Sequence, residues 1–211
     1  MPLDESTPLG AHEAFWRGAF GDAYVERNRD ARFVAGNLAL FSKVLARTGP
    51  LDSALEFGCN VGLNLRALAA LQPGCRLTGI EINASAASAA RAWGGATVIE
   101  DSFLAVPPCA PHTLAFTKGV LIHVDPERLP EVYDRLVAAS QRYVLVAEYY
   151  NPTPATVSYR GHDERLYKRD FAGELMERHP GLTLVDYGFC YRRDPTFPMD
   201  DLTWFLLEKR A

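Results

Sequence analysis

The sequence predicts a single α/β unit built on a mostly parallel seven-stranded sheet, with helices on both faces and an antiparallel last strand. Three observations carry this. Short apolar strands alternate with amphipathic helices from about residue 50 onward, the pattern of a parallel sheet with right-handed crossovers. The first of those strands runs into an acid and three spaced turn residues, Glu56-Phe-Gly58-Cys-Asn60-Val-Gly62. The chain then closes on two strands in succession, joined by a connection short enough for a hairpin.

Each element has its own cue. From His12 to about Arg47, Phe15, Ala19, Tyr24, Phe33, Leu38, Phe41 and Leu45 recur at helical spacing, with a break expected near Gly21 or Gly36. Ala54 to Phe57 is a strand, and the helix from about Gly62 to Leu71 is stopped by Gln72-Pro73-Gly74. Arg76 to Ile82 is the second strand, and the helix from Ala84 to Trp93 closes at Gly94-Gly95. Ala96 to Asp101 and Thr113 to Gly119 are the third and fourth strands. Asp125 is an N-cap with Pro126 in the first helical position, and Leu129, Val132, Leu136 and Val137 mark the buried face. The fifth strand, Arg142 to Tyr150, is apolar enough to be covered on both faces. Residues 151–169 read as irregular, Asp170 to Arg178 as a helix, and Leu182 to Arg192 and Leu202 to Lys209 as the closing strands.

Composition narrows the function classes. The 211 residues carry a formal net charge of -4, which gives no basis for a nucleic-acid binder working by phosphate neutralisation. Cys59, Cys75, Cys109 and Cys190 are widely spaced, without a C-x-x-C or a nearby histidine at metal-ligand spacing, so no metal is expected. The opening residues MPLDESTPLG lack the basic and apolar regions of a secretory signal, and no apolar run approaches a membrane span. The expectation is a cytoplasmic protein with four reduced thiols and a small-molecule substrate; oligomeric state does not follow.

In an open parallel sheet the ligand lies beyond the carboxyl ends of the strands. One rim therefore gathers Glu56 to Gly62, Glu81, Asp101-Ser102, Thr117-Lys118 and Glu148 to Asn151. Gly58 and Gly62 remove side chains from the turn, and the following helix start offers free N–H groups. The turn has neither G-x-G-x-x-G nor G-K-[ST]. Glu81 can accept from both hydroxyls of a ribose, although a strand-end acid in solvent would look the same. Asp101 and Ser102 suit an adenine edge, or a turn cap. Together they form a strip for an adenosine whose 5′ extension lies on the glycine turn.

At these residues the chain resembles the class I, seven-stranded S-adenosylmethionine-dependent methyltransferases, a Rossmann-like fold. LEFGCNVG is similar to their first motif with Asn60 in place of a middle glycine, GIEIN to the second, and EDSF and FTKGVLIHV to the third and fourth. FGDAYVERN, LEFGCNVGLNL and SYRGHDERLYKRDFAGELM resemble a narrower group, the pseudaminic acid biosynthesis-associated methyltransferases. The resemblance implies S-adenosylmethionine as cofactor and S-adenosylhomocysteine as product, with residues 1–48 a helical cap and 49–211 the methyltransferase unit. It implies Glu56, Gly58, Asn60 and Gly62 against the methionine portion, Glu81 with Ile82 at the ribose, Asp101 and Ser102 at the adenine, and Thr117 and Lys118 at the amino group. Trp16, Tyr24 and Arg27 would cover the cofactor, Arg27 pairing with its carboxylate.

On the acceptor side, His123 is the candidate general base or substrate contact, with a structural histidine as the alternative. Glu148, Tyr149, Tyr150 and Asn151 leave the fifth strand there, and Tyr159, Arg160, His162 and Arg165 suggest an anionic, carboxylate-bearing acceptor. The stretch NPTP is not the N-P-P-Y of amide and nucleobase amino methylases. Two other readings stay open: a nicotinamide-dependent oxidoreductase, for which Glu81 would also serve a ribose, and a non-catalytic cofactor-binding partner protein.

Overall fold

A computed structural model describes residues 10–27, 32–159 and 161–210, without the side chains of 26–27, 32 and 162–164. Three helices open the chain: α1 (Ala11–Arg17), α2 (Ala19–Arg27) and α3 (Arg32–Thr48). Then follow β1 (Ser53–Phe57), α4 (Leu63–Leu71), β2 (Arg76–Glu81), α5 (Ala84–Trp93), β3 (Thr97–Glu100) and β4 (His112–Lys118). After two short 3₁₀ turns come α6 (Leu129–Ala138), β5 (Ser140–Glu148), β6 (Ala155–Tyr159), β7 (His162–Lys168), α7 (Phe171–Arg178), β8 (Leu182–Cys190) and β9 (Leu202–Lys209).

Seven strands form one sheet in the order β3-β2-β1-β4-β5-β9-β8. The pairs from β3 to β5 are parallel, and β9 is antiparallel to both β5 and β8. Only the last strand is reversed. The five residues of β1 are all buried, as are the last six of β5, because helices cover both faces of these central strands. On one face Leu55, Phe57, Ala115 and Val144 pack against Leu129, Val132 and Leu136 of α6 and Phe171 and Leu175 of α7. On the other, Ala54, Leu114, Phe116 and Leu145 pack against Leu40, Phe41 and Val44 of α3 and Leu65 and Leu68 of α4.

Two expectations need correction. The break expected near Gly21 or Gly36 falls at Gly18, three residues before Gly21, and none falls at Gly36; Gly18 takes an extended conformation (φ -92°, ψ -160°) and its N–H still reaches the Ala14 carbonyl. Gly21 and Gly36 lie inside helices, and glycine is required for close approach at Gly21, while the contact at Gly36 is merely tight. A Cβ on Gly21 would fall 1.9 Å from the Trp16 carbonyl oxygen, and one on Gly36 would fall 3.1 Å from Met199 Cε. Residues 151–169 are not irregular throughout: β6 and β7 form a separate antiparallel hairpin. Three consecutive residues, Thr156, Val157 and Ser158, are exposed, so the hairpin lacks the apolar alternation that reveals a half-buried strand. It is tethered through Leu166, which is buried in the α6–α7 core layer.

The Asp125 cap is present, although it opens the 3₁₀ turn preceding α6: its side chain accepts from Glu127 N–H. All four cysteines are free thiols. Among the described residues no helix is long and apolar enough to cross a membrane.

Gly79 on β2 tests the packing between the sheet and α4. A Cβ there would lie 2.5 Å from Cys59 Sγ and 3.0 Å from Leu65 Cδ1, whereas one on Gly74 would meet nothing. Gly79→Ala is expected to lower stability by about 1–3 kcal/mol in urea unfolding, the range for an overpacked core, with Gly74→Ala leaving it near wild type.

Candidate functional site

A cavity of about 530 Å³ opens at the carboxyl ends of the strands, under α1 and α2 and beside the start of α3. Its floor is the turn from β1 to α4. Gly58, Asn60 and Gly62 all have positive φ, at 72°, 47° and 79°, so the chain coils tightly and exposes backbone where side chains would otherwise stand. A Cβ on Gly58 would lie 2.6 Å from Val120 Cγ2, so glycine is required for the β4 turn to close over this one. Asn60 is the tolerated exception, being a residue that visits the left-handed region readily.

Glu81 locks this turn to the end of β2. One carboxylate oxygen accepts from Asn60 N–H at 2.7 Å and the other from Asn83 N–H at 2.8 Å. Burial raises its pKa and these donors oppose the rise. With Ile82 N–H as a third backbone donor, the carboxylate keeps acceptor capacity for a ligand hydroxyl. At the tip of β3, Ser102 lines the cavity; its hydroxyl donates to Glu13 of α1 and accepts from Leu104 N–H at 3.1 Å. Asp101 does not line the cavity. It pairs with Arg17 at 3.6 Å on the outer surface and accepts from Ser102 N–H.

Beneath the other end of the cavity sits a buried polar cluster. Glu56 is fully buried, and Asn64 Nδ2 donates to its Oε1 at 2.5 Å while Oε2 has no partner. Burial pushes the Glu56 carboxyl up to about 8, against the pull of Asn64 and the Lys118 charge. Lys118 is in turn depressed by burial and supported by Glu56 and Asp200. The side-chain oxygens of Asn37, Asn60 and Asn64 and the indole N–H of Trp16 are buried without hydrogen-bond partners, and all four residues line the cavity.

Glu148 was expected to face a substrate and does not line the cavity. Its Oε1 accepts from Thr117 Oγ1, Val120 N–H and Leu121 N–H, each at 3.1 Å, and Oε2 from Ile122 N–H at 3.4 Å. Burial lifts it to about 7 despite those four donors. The turn it holds carries His123. Because a carbonyl only accepts, the 2.7 Å contact between His123 Nδ1 and the Arg165 carbonyl fixes the proton on Nδ1 and leaves Nε2 as acceptor. Burial lowers the imidazole to about 4, so it is neutral at pH 7.

Of the other expected residues, Trp16, Tyr24, Ile82, Lys118, His123, Tyr149 and Tyr159 line the cavity. Gly62 sits behind it as the N-cap of α4, and Thr117 is committed to Glu148. Tyr150 is exposed in a shallow groove by β9, and Asn151 folds onto Thr153. Arg165 stacks over the Phe15 ring at 5.2 Å and is not a lining residue. Arg160 and the side chains of Arg27 and His162 lie outside what the structure describes. Sequence reasoning missed Glu13, Asn37, Asn64, Met199 and Asp200, all of which line the cavity. Asn64 had a signal, one turn into α4 behind the glycine turn; the rest come from distant segments without a motif. Among the described residues no group of side chains could hold a metal ion.

No family model and no curated protein matches this chain. Solved structures do match. The chain is similar to magnesium protoporphyrin IX methyltransferase from Synechocystis PCC 6803 with bound SAM (TM-score 0.68, 14% identity, 98% of this chain and 100% of that one). It is also similar to Burkholderia thailandensis 1,6-didemethyltoxoflavin-N1-methyltransferase with its substrate and S-adenosylhomocysteine (0.70, 19%, 98% and 94%). A third is a plantazolicin methyltransferase in complex with SAH (0.66, 13%, 95% and 95%). The chain therefore has the Rossmann-like methyltransferase fold.

Two variants test the buried acids. Glu148→Ala leaves four buried donors without their acceptor and is expected to cost about 3 kcal/mol or more in urea unfolding. For Glu56 the folded pKa lies above the unfolded one, so folding favours the protonated form and stability falls as pH rises from about 4.5 to about 8. His123 contributes with the opposite sign, but only between about 4 and 6.5. Urea midpoints at pH 6.5 and 8.5 should drop in the wild type and drop less in Glu56→Gln.

Proposed function

We propose that this chain is an S-adenosylmethionine-dependent methyltransferase acting on a small molecule. The observation that carries the reading is the set of buried polar atoms left without partners around one cavity at the strand tips. A folded protein pairs nearly all such groups, and those it leaves unpaired call for a ligand.

The residues present fit this cofactor along its whole length. Glu81 offers its remaining acceptor capacity to the ribose hydroxyls, while Ser102 and Glu13 border the adenine end. The amide oxygens of Asn37, Asn60 and Asn64 supply acceptors for an ammonium, and Lys118 a cation for a carboxylate. Trp16 and Tyr24, on α1 and α2, close the cavity from above and act as its cap, whereas α3 belongs to the core layer on the sheet. The cofactor supplies a methyl group already activated by its sulfonium. The chain's part is to align the acceptor with that methyl and exclude water. Neutral His123 holds a lone pair at Nε2 to orient an acceptor or take its proton.

Of the residues expected to meet an anionic acceptor, Tyr159, Arg160, His162 and Arg165, the Tyr159 ring lines the cavity and Arg165 lies over Phe15 outside it. The likeness to the pseudaminic acid biosynthesis-associated group rests on sequence motifs alone.

Thermal melting and calorimetry test the reading. S-adenosylhomocysteine at a hundred times its dissociation constant should stabilise the protein by about 2.7 kcal/mol, and NADPH should not. Glu81→Ala should weaken S-adenosylhomocysteine at least tenfold. A shift with NADPH alone, or unchanged affinity in that variant, overturns the assignment.

A further inference from the structure

We propose that the methyl acceptor is a flat, uncharged aromatic or heteroaromatic molecule bearing one hydroxyl or ring N–H, seated against Trp16, His123 and Tyr159. This rests on the methyltransferase reading above and deepens it.

Three elements far apart in sequence converge to make that wall. Trp16 comes from α1, His123 from the turn after β4 and Tyr159 from the end of β6. Their ring centroids follow one another at 4.6 and 5.0 Å, each pair tilted by 53°, and all three line the cavity. The sheet order sets where this wall stands. A nucleoside held by Glu81 and Ser102 occupies the β2–β3 side, so its methionine end points across β1 toward β4. His123 follows β4, which brings the wall to the methyl end of the cofactor.

The charges around the wall select against ionised acceptors. Aromatic ring faces carry negative potential and repel an anion. Among the described side chains the nearby cations already have partners: Arg165 lies over Phe15, Arg128, which also lines the cavity, is bonded to Glu131 at 2.8 Å, and Lys118 is coupled to Glu56 and Asp200. A cationic acceptor would suit the rings but would face the positive sulfonium. A neutral ring meets neither penalty.

The wall also carries one donor and one acceptor. Trp16 Nε1–H is buried without a partner, and His123, with its proton held on Nδ1, offers Nε2. A phenolic hydroxyl satisfies both, its O–H donating to Nε2 and its oxygen accepting from Trp16; a ring N–H donates to Nε2 and needs a second, unprotonated ring nitrogen to accept from Trp16. In the transfer, the acceptor's lone pair forms the new bond to the methyl carbon. The carbon–sulfur bond breaks with its electron pair left on sulfur. The acceptor's proton leaves through His123 Nε2 to solvent.

The test uses the full chain saturated with S-adenosylhomocysteine and three probes, 2-naphthol, 2-naphthoate and cyclohexanol, with binding followed by ligand-observed NMR and methyl ether formation by mass spectrometry with S-adenosylmethionine. 2-Naphthol should bind at least tenfold tighter than the other two and be the one methylated. Tyr159→Leu should weaken it at least fivefold and Tyr159→Phe should restore it, each variant first shown to bind S-adenosylhomocysteine. Equal or tighter binding of 2-naphthoate or cyclohexanol overturns the inference, as does absence of 2-naphthol binding to the S-adenosylhomocysteine complex. Failure of the wild type to bind S-adenosylhomocysteine overturns the methyltransferase reading itself, so the two failures are distinguishable.

Discussion

The turn after β4 has to bend back over the tip of β1, and doing so leaves three successive backbone N–H groups pointing into protein. One carboxylate satisfies all of them: Glu148, reaching across from the neighbouring strand β5, accepts from Val120, Leu121 and Ile122 and from the Thr117 hydroxyl. The rest of the site depends on this arrangement. With the turn pinned, Val120 packs so closely over Gly58 that no other residue fits there. The same turn sets His123 against the Arg165 carbonyl and the Trp16 ring. Burial makes the Glu148 charge costly, and its four donors only partly offset that cost, which is why its carboxyl is held near 7.

How far the sequence discloses this depends on the range of the interactions involved. The strands and their tips were legible because fully covered central strands must be apolar throughout and must end in turn residues. The Gly58–Asn60–Gly62 turn and Glu81 follow from that local chemistry, and the structure joins them by the hydrogen bond from Asn60 N–H to the Glu81 carboxylate. Asp101 and Ser102 are adjacent, and no local rule says which faces inward; packing beside Glu13 of α1 decides for Ser102. Glu148 shows the same limit. Its place at a strand tip was readable, but its direction is decided by a turn whose donors lie 26 to 28 residues earlier. Asn37, Met199 and Asp200 carry no motif. The hairpin of β6 and β7 has no such signature, because its exposed residues break the expected alternation.

The cavity separates two kinds of surface. Its floor, toward β1 and β4, is polar and under-satisfied, with unpaired oxygens on Asn37, Asn60 and Asn64, and with the buried Glu56 beneath it coupled to a depressed lysine, Lys118. Its wall, from Trp16 through His123 to Tyr159, is aromatic and uncharged. Such a division suits a bisubstrate site, in which a zwitterionic tail and a neutral ring must lie side by side without exchanging places. Like charges and unpaired donors would penalise the wrong occupant in either half, so orientation is set by what each half rejects as well as by what it binds.

The floor also explains why the folded chain tolerates unpaired groups at all. Each buried polar atom without a partner costs on the order of 1–3 kcal/mol, a large fraction of an ordinary domain's stability. Replacing Asn37 or Asn64 with apolar residues of similar size would remove that cost and improve the free protein. Retaining them is sensible only if a ligand's own donors meet the same atoms and recover the energy as affinity. The cost these side chains impose on the folded chain and the specificity they give a ligand therefore have one origin, and the α3–α4 and α6–α7 layers on either side of the sheet hold them in place.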